Sequence, residues 1–473
     1  LTSGAGNVAI GYQAMLTHTT GERNIAIGYG AMNDTDAGAT TLGSNDNLFI
    51  GYDSGGGDWS TAESYGNVGI GNYTLDSALD EALYNTAVGY ATLTALTTGD
   101  QNVAIGKSAG VALTTVSKCT IVGNGAGAGI MVGDGTTDET TADGTVAVGY
   151  AALAANTTGV GNVAIGYESL TAASQEDSCT AVGYQSLKAL TGTDGASGNT
   201  AIGYRAGTAL TTGGYNQIMG RDALKTATTA QQNVAIGDVA MQGSPSGVAF
   251  SGIVAIGNSA MGDTSSLETG ANGTIAIGSG ALNVLSSGGG NVAIGNSAGA
   301  EIASASNNTV LGFNAMSDSL QANANTDNTF IGKGSGGGTW LAGASNYNTA
   351  VGSSSMQGAM VTALNNTAVG HNALNALTSG DDNVVVGKDA GDSITSGGSN
   401  TIVGSGAMAT GTGDQNTCVG YYSGRAIAGN FNTCIGQRSG DGIAAGQYNT
   451  LLGINADVDG SGDSGLTRLG AYG

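Results

Sequence analysis

The residue types that usually carry chemistry are few in this sequence and do not cluster. The two histidines, His18 and His371, sit far apart. A histidine that ligates a metal or moves a proton needs close partners. The four cysteines contain no C-x-x-C pair, so zinc is not expected. Cys418 and Cys434 occupy equivalent places in neighbouring segments, which invites a disulfide reading. Stacked parallel strands seldom offer the Cβ geometry that a disulfide needs. Buried thiols acting as small hydrophobes are the expectation. Acidic pairs such as Asp80-Glu81, Glu176-Asp177 and Asp381-Asp382 fall in variable segments, where they serve solubility. Glycoside hydrolysis would need two such acids held about 5–10 Å apart on one surface. No catalytic residue is assigned, and the chain is expected not to be an enzyme. One metal candidate stands out: Asp457, Asp459 and Asp463 alternate like the opening of a calcium loop. Arg468 stands where such a loop would place its bidentate acid. Calcium is therefore the one cofactor suggested, and a plain polar tail is the alternative.

Aromatic residues offer a second kind of chemistry, surface contact. Nine tyrosines follow a recurring glycine, and Tyr150, Tyr167 and Tyr184 come from three consecutive segments. Such a stripe could stack on sugar rings, or its rings could pack on one another with their hydroxyls at the surface. Trp59 and Trp340, the only tryptophans, lie in Gly-rich segments and are candidates for exposed contact sites.

What must position these residues is a repeat. Asn7-Val8-Ala9-Ile10-Gly11-Tyr12 reappears as Asn24-Ile25-Ala26-Ile27-Gly28-Tyr29, and so on through 25 copies to Gly453. Gly11, Gly28, Gly89, Gly106, Gly166, Gly183, Gly295 and Gly387 are among the anchoring glycines. The mean spacing is about 18 residues, and half the spacings are 17. The longest, Gly123 to Gly149, holds a loop or a degenerate copy around Met131-Val132-Gly133. The residue before the anchor is always aliphatic or Met, and the one three before is mostly Val or Thr. Both preferences favour strand. Three residues after the anchor stands Ala, Ser or Thr. Four before it stands Asn in 20 copies, among them Asn7, Asn24, Asn85, Asn102, Asn162, Asn291 and Asn383. These asparagines are either a stacked amide ladder or turn residues that tolerate a left-handed backbone.

A short strand at this motif and a parallel β-solenoid of about 25 coils follow. Residues 1–455 form the array, and 456–473 form a polar tail or the start of another domain. Side chains alternate along a strand, which places Val8 and Ile10 in the coil interior. Asn7 and Ala9 then face a partner surface. A strand apolar on both sides wants cover on both, so an oligomer is expected. A longer repeat lies above the short one: residues 47–127 resemble 328–408, with Trp59 and Trp340 at the same place.

Composition narrows the function classes. Glycine supplies 86 of 473 residues, proline one, and charged residues 10%. Collagen is excluded by the lack of a G-X-Y period. Disorder is disfavoured by a hydrophobic fraction of 40%. No apolar run approaches about 18 residues, so no membrane insertion is expected. Twelve bases against 35 acids, a net charge of −23, argue against nucleic acid as a partner. The chain opens at Leu1 without a signal peptide, as expected of a segment or a processed form.

The Asn-Val-Ala-Ile-Gly unit resembles the head repeats of YadA-like trimeric autotransporter adhesins. The form with Tyr after the anchor and a Thr-Thr-Gly turn, as in Asn162 to Tyr167, is similar to repeats of bacteriophage tail-fibre proteins. The resemblance implies a left-handed β-roll and a homotrimeric rod. It also implies an extracellular place on a virion or cell, and a host-surface glycan or protein receptor as partner. A phage tail-fibre shaft or head is the expected role. A bacterial adhesin or extracellular filament is the alternative.

Overall fold

The computed structural model describes residues 4–35, 43–59, 62–129, 142–192, 196–263, 267, 269–318, 325–340 and 343–470. The degenerate copy expected around Met131-Val132-Gly133 lies outside the described residues. The chain divides into two compact units, 1–233 and 234–473. Among the described residues, unit 1 carries twelve three-residue strands, from β1 (Val8–Ile10) to β12 (Gln217–Met219). Unit 2 carries fourteen, from β13 (Val234–Ile236) to β26 (Thr467–Leu469). Within each unit, neighbouring strands pair parallel and in register. Val8 lies opposite Ile25 and Ala9 opposite Ala26 in unit 1, and Thr367 lies opposite Val384 in unit 2. Each repeat is thus one coil of an all-β parallel β-solenoid. No α-helix occurs among the described residues. The tail expected over 456–473 holds a further coil, since β26 pairs in register with Thr450–Leu452.

The strand faces are the reverse of the sequence expectation. The middle residue points inward: Ala26, Ala87, Ala104 and Ala368 are fully buried. Its aliphatic neighbours point outward, with Val8, Ile10 and Ile105 each more than 40% exposed. Across from the middle residue lies the Ala, Ser or Thr three after the anchor, such as buried Thr92 and Ala373. Larger chains such as Leu93 and Leu96 fill the far end. The middle slot also takes Ile121, Val385, Ile402 and Phe330, all fully buried, so alternation along the strand, and not side-chain size, puts the flanking residues outside.

The anchor glycine is required twice over. At Gly106 φ is +133°, a region L-residues rarely adopt, and a Cβ there would lie 2.6 Å from the carbonyl oxygen of Gly123. Two and four residues after an anchor, Glu168 and Leu170 hold φ values of +51° and +48°. Their backbone N–H groups donate to Tyr150 and Ser186 of the neighbouring coils, at 2.9 and 3.0 Å. Those bonds offset the strain of a left-handed backbone.

Asparagine forms the ladder, and does so with backbone groups as well as amides. In unit 1, Asn85 Nδ2 donates to Asn67 Oδ1 at 3.1 Å and to the Gly99 carbonyl at 2.8 Å. Asn85 Oδ1 accepts both the backbone N–H and the Nδ2 of Asn102 at 3.0 Å. Asn7 Oδ1 accepts the Asn24 N–H, and Asn162 Nδ2 donates to the Glu176 carbonyl. In unit 2 Asn291 starts a run that passes through Asn383 to Asn449. Buried backbone donors and acceptors of successive turns are paired in this way.

Candidate functional site

The interior of the coils is filled by side chains, so the functional surface has to be read from what points outward. Three features do.

The first is the outer face of the strands. Its residues, one and three before each anchor, include no charged side chain in any of the 26 strands. Ile165, Ile202 and Met219 in unit 1 and Leu311, Val384 and Val403 in unit 2 are exposed. Contiguous apolar patches of this kind on a soluble chain mark interaction surfaces.

The second is the tyrosine column of unit 1. Tyr150, Tyr167, Tyr184 and Tyr204 stack with centroids 5.0, 5.2 and 5.2 Å apart and planes within 14° of parallel. Tyr12, Tyr29 and Tyr52 form a second stack, with 5.2 Å between successive centroids. Each ring is about half exposed. The faces of the inner rings are covered by their neighbours, so the surface they offer is ring edges and hydroxyls. Arg205 lies 4.7 Å from the centroid of Tyr204 and closes the stack. Its guanidinium also makes a bidentate pair with Asp222 of the next coil, at 2.9 and 3.0 Å.

The third is the acidic surface beside Tyr29, Tyr52 and Tyr73. Burial, then the charge of Asp53, push Asp76 up to about 6. Asp53 is itself raised, by burial first and then by Asp34.

Trp59 and Trp340 are corrections. Both are fully buried. Each packs edge-on against a phenylalanine that replaces the usual inward Ala, Phe49 at 5.6 Å and Phe330 at 5.4 Å. The Gly-rich stretch makes room for these rings: a Cβ at Gly55 would lie 2.8 Å from the Phe49 ring, and one at Gly336 2.6 Å from the Phe330 ring. The tryptophans are therefore core, and the duplicated Phe–Trp pair is a packing unit.

The three candidate calcium ligands are not brought together. Asp457 Oδ2 accepts the Gly442 N–H at 2.8 Å. Asp463 Oδ2 accepts the Gly460 N–H at 2.7 Å. Asp459 pairs with Arg468, whose other nitrogen donates to the Asp457 carbonyl. Among the described residues no group of three or more His, Cys, Asp or Glu is placed to hold a metal ion.

All four cysteines are buried free thiols. Cys418 lies in register with Cys434. Hydrogen bonding to Cys434 and burial hold the Cys418 thiol well above its ordinary range. His18 is buried, with Nδ1 3.0 Å from Thr35 Oγ1 and Nε2 3.1 Å from Asn24 Nδ2. It is a hydrogen-bonded core residue. His371 is exposed and faces Asp389 at 3.7 Å.

No α-helix in the described residues is long and apolar enough to cross a membrane. A scan against protein-family models finds no match, and a search of curated proteins finds no similar sequence.

Proposed function

We propose that the chain is a fibrous attachment protein, a homotrimer of left-handed β-rolls exposed on a virion or cell and working by reach and repeated weak contact. The observation that carries this reading is the outer strand face: apolar directly before every anchor, Val, Ile, Leu, Thr or Gln three before it, free of charge, and half-buried to exposed. On a chain of net charge −23, a face kept neutral over so many coils is suited to a second copy of itself. Three parallel copies cover one another's stripes and leave the tyrosine columns and charged turns on the outside. Each weak surface contact is then presented three times, and avidity exceeds single-site affinity. The tyrosine-bearing repeats and Thr-Thr-Gly turns favour a phage tail fibre over a bacterial adhesin.

Light scattering on the full chain tests the assembly. The expected mass is near three times the 45.8 kDa of one chain, and a single-chain mass at micromolar concentration overturns the trimer. Replacing Ile165 and Ile202 by Lys is expected to shift the assembly toward monomer. Attachment is tested with fluorescently labelled chain on a panel of bacterial cells. Uniform absence of staining with a verified trimer overturns attachment.

A further inference from the structure

In unit 2, the segments after three consecutive anchors, Gly312, Gly332 and Gly352, surround a cleft of about 220 Å³. Phe313, which is half exposed, lines it with Lys333, Asp318, Asn314 and Gln357. Its glycines keep it open. A Cβ at Gly337 would stand 3.0 Å from the Asn314 carbonyl oxygen and 3.1 Å from that of Gly334. A Cβ at Gly334 would stand 3.5 Å from Gln357 Nε2.

The long-range duplication supplies a comparison inside the same chain. At the same offsets from Gly28, Gly51 and Gly71, unit 1 carries Tyr29, Tyr52 and Tyr73. Those three rings pack into a column, 5.2 Å stacked and then 5.3 Å edge-on. In unit 2 the second and third rings are replaced by Lys333 and Ser354, and the carboxylates of Asp53 and Asp76 by Gly334 and Gln357. The packing beneath is similar, since the Phe330–Trp340 pair repeats Phe49–Trp59. One framework is thus closed and acidic in unit 1, and open in unit 2.

The chemistry of the opening selects a ligand class. It is smaller than the roughly 300 Å³ at which drug-sized sites begin, so it fits a single ring. It combines one aromatic side chain with amides, hydroxyls, one cation and one carboxylate, whose charges cancel. A pyranose presents an apolar C–H face and a rim of hydroxyls that each donate and accept. A phosphorylated or otherwise anionic ligand would meet a chain of net charge −23. We infer that the unit 2 cleft between Phe313, Lys333 and Gln357 is a binding site for one neutral pyranose ring. The inference deepens the attachment reading and rests on it for its biological setting.

Ligand-observed saturation-transfer NMR on the full chain tests it, with the methyl glycosides of glucose, galactose, mannose and N-acetylglucosamine as probes. A second arm uses oligosaccharides ending in the same sugars. At least one probe is expected to bind in the millimolar range typical of a small polar ligand. Binding in either arm upholds the site, and the stronger arm tells a free sugar from the end of a chain. Phe313→Ala is expected to weaken binding at least tenfold. Lys333→Tyr restores the residue found in unit 1, fills the cleft, and is expected to do the same with unchanged thermal melting. No transfer to any probe at 20 mM or so, or equal binding by both variants, overturns the site. Cell adhesion separates the two readings. Adhesion that persists alongside unaltered sugar binding in Lys333→Tyr overturns the cleft and leaves attachment standing. Cleft-dependent sugar binding by a chain that adheres to no cell upholds the cleft and overturns attachment.

Discussion

Removing one rung of the asparagine ladder is the sharpest test of what holds a coil in place. Asn366 in unit 2 is fully buried. Its Oδ1 accepts the Asn383 backbone N–H at 3.0 Å and Asn383 Nδ2 at 2.9 Å. Its Nδ2 donates to Asn348 Oδ1, the Leu364 carbonyl and the Gly380 carbonyl, at 3.1, 3.0 and 2.8 Å. Asn366→Ala keeps the backbone register but leaves the Asn383 N–H without its acceptor and the Gly380 carbonyl without this donor. An orphaned buried group costs about 1–3 kcal/mol, so the two together cost roughly 2–4 kcal/mol after local relaxation. Repeat arrays need not unfold in one step, so the measurement should be local. Amide hydrogen exchange at Asn383 and its neighbours is expected to speed up by roughly 30- to 900-fold, at about 1.4 kcal/mol per tenfold. Outward-facing, partly buried Thr367→Ala, one residue along, is expected to change exchange by less than threefold or so, as a surface substitution does. If Asn366→Ala changes exchange no more than Thr367→Ala, the ladder is decoration and stability lies in the apolar stack alone.

Three further outcomes follow from the same geometry. Gly166→Ala meets both a φ of +139° and the Gly183 carbonyl oxygen. It is expected to cost about 3 kcal/mol or to abolish soluble expression. Gly161→Ala, at φ +66° with its nearest neighbour Ser178 Oγ 3.9 Å away, should cost about 1 kcal/mol; equal melting losses would refute the distinction. Asp76 has a folded pKa of about 6, above its unfolded value near 3.9. The native state holds the proton more tightly, so ionising Asp76 costs stability as pH rises from about 4 through 6. Discounted for partial exposure, Asp76→Asn is expected to gain about 1 kcal/mol at pH 7 and little at pH 4; a gain independent of pH would refute it. Burial pushes Cys119 up to about 12 and Cys179 up to about 11. A water-soluble thiol reagent should therefore label none of the four cysteines in the native chain and all four in guanidinium, and rapid native labelling would contradict the buried assignment.

The coil and its anchor were legible because a solenoid repeats each interaction against a copy of itself. The glycine slot, the asparagine slot and the small residue after the anchor each recur often enough to be read as a place in the fold. The direction of the strand was not legible by alternation alone. Three residues, all apolar, satisfy two opposite orientations equally well. What decides is which slot accepts polar side chains, and a signal for it was present. The middle slot is mostly Ala, while the outer slot three before the anchor accepts Thr many times and Gln217 once. Thr and Gln tolerate water, and a narrow core tolerates Ala. The tryptophans misled for a related reason. A Gly-rich segment suggests an exposed loop, yet here glycine clears space for Phe49 and Phe330. The co-occurrence of Phe in an alanine slot, Gly six residues on (Gly55, Gly336) and Trp ten residues on was the available clue. The raised pKa of Asp76 had no such clue, because Asp53 and Asp76 lie far apart in sequence and meet only through the stacking of neighbouring coils.

The slot directly after the anchor shows how such a fold acquires function without changing its frame. The glycine before it is fixed by φ and by the carbonyl above. The residue three later is fixed by the width of the core. The slot between them points out and bears on neither constraint. In unit 1 it is mostly tyrosine, and the rings stack into columns that cover one another. In unit 2 the same slot holds Phe313, Lys333, His371 and Lys388 among small polar residues, and a single tyrosine, Tyr421. A column of identical rings favours its own stacking, whereas a column of unlike side chains leaves gaps. The cleft beside Phe313 and Lys333 is such a gap. On this physical ground the proposed recognition site falls in unit 2, where the outward slot is chemically mixed, and the regular tyrosine columns of unit 1 are expected mainly to stiffen the coils that carry them.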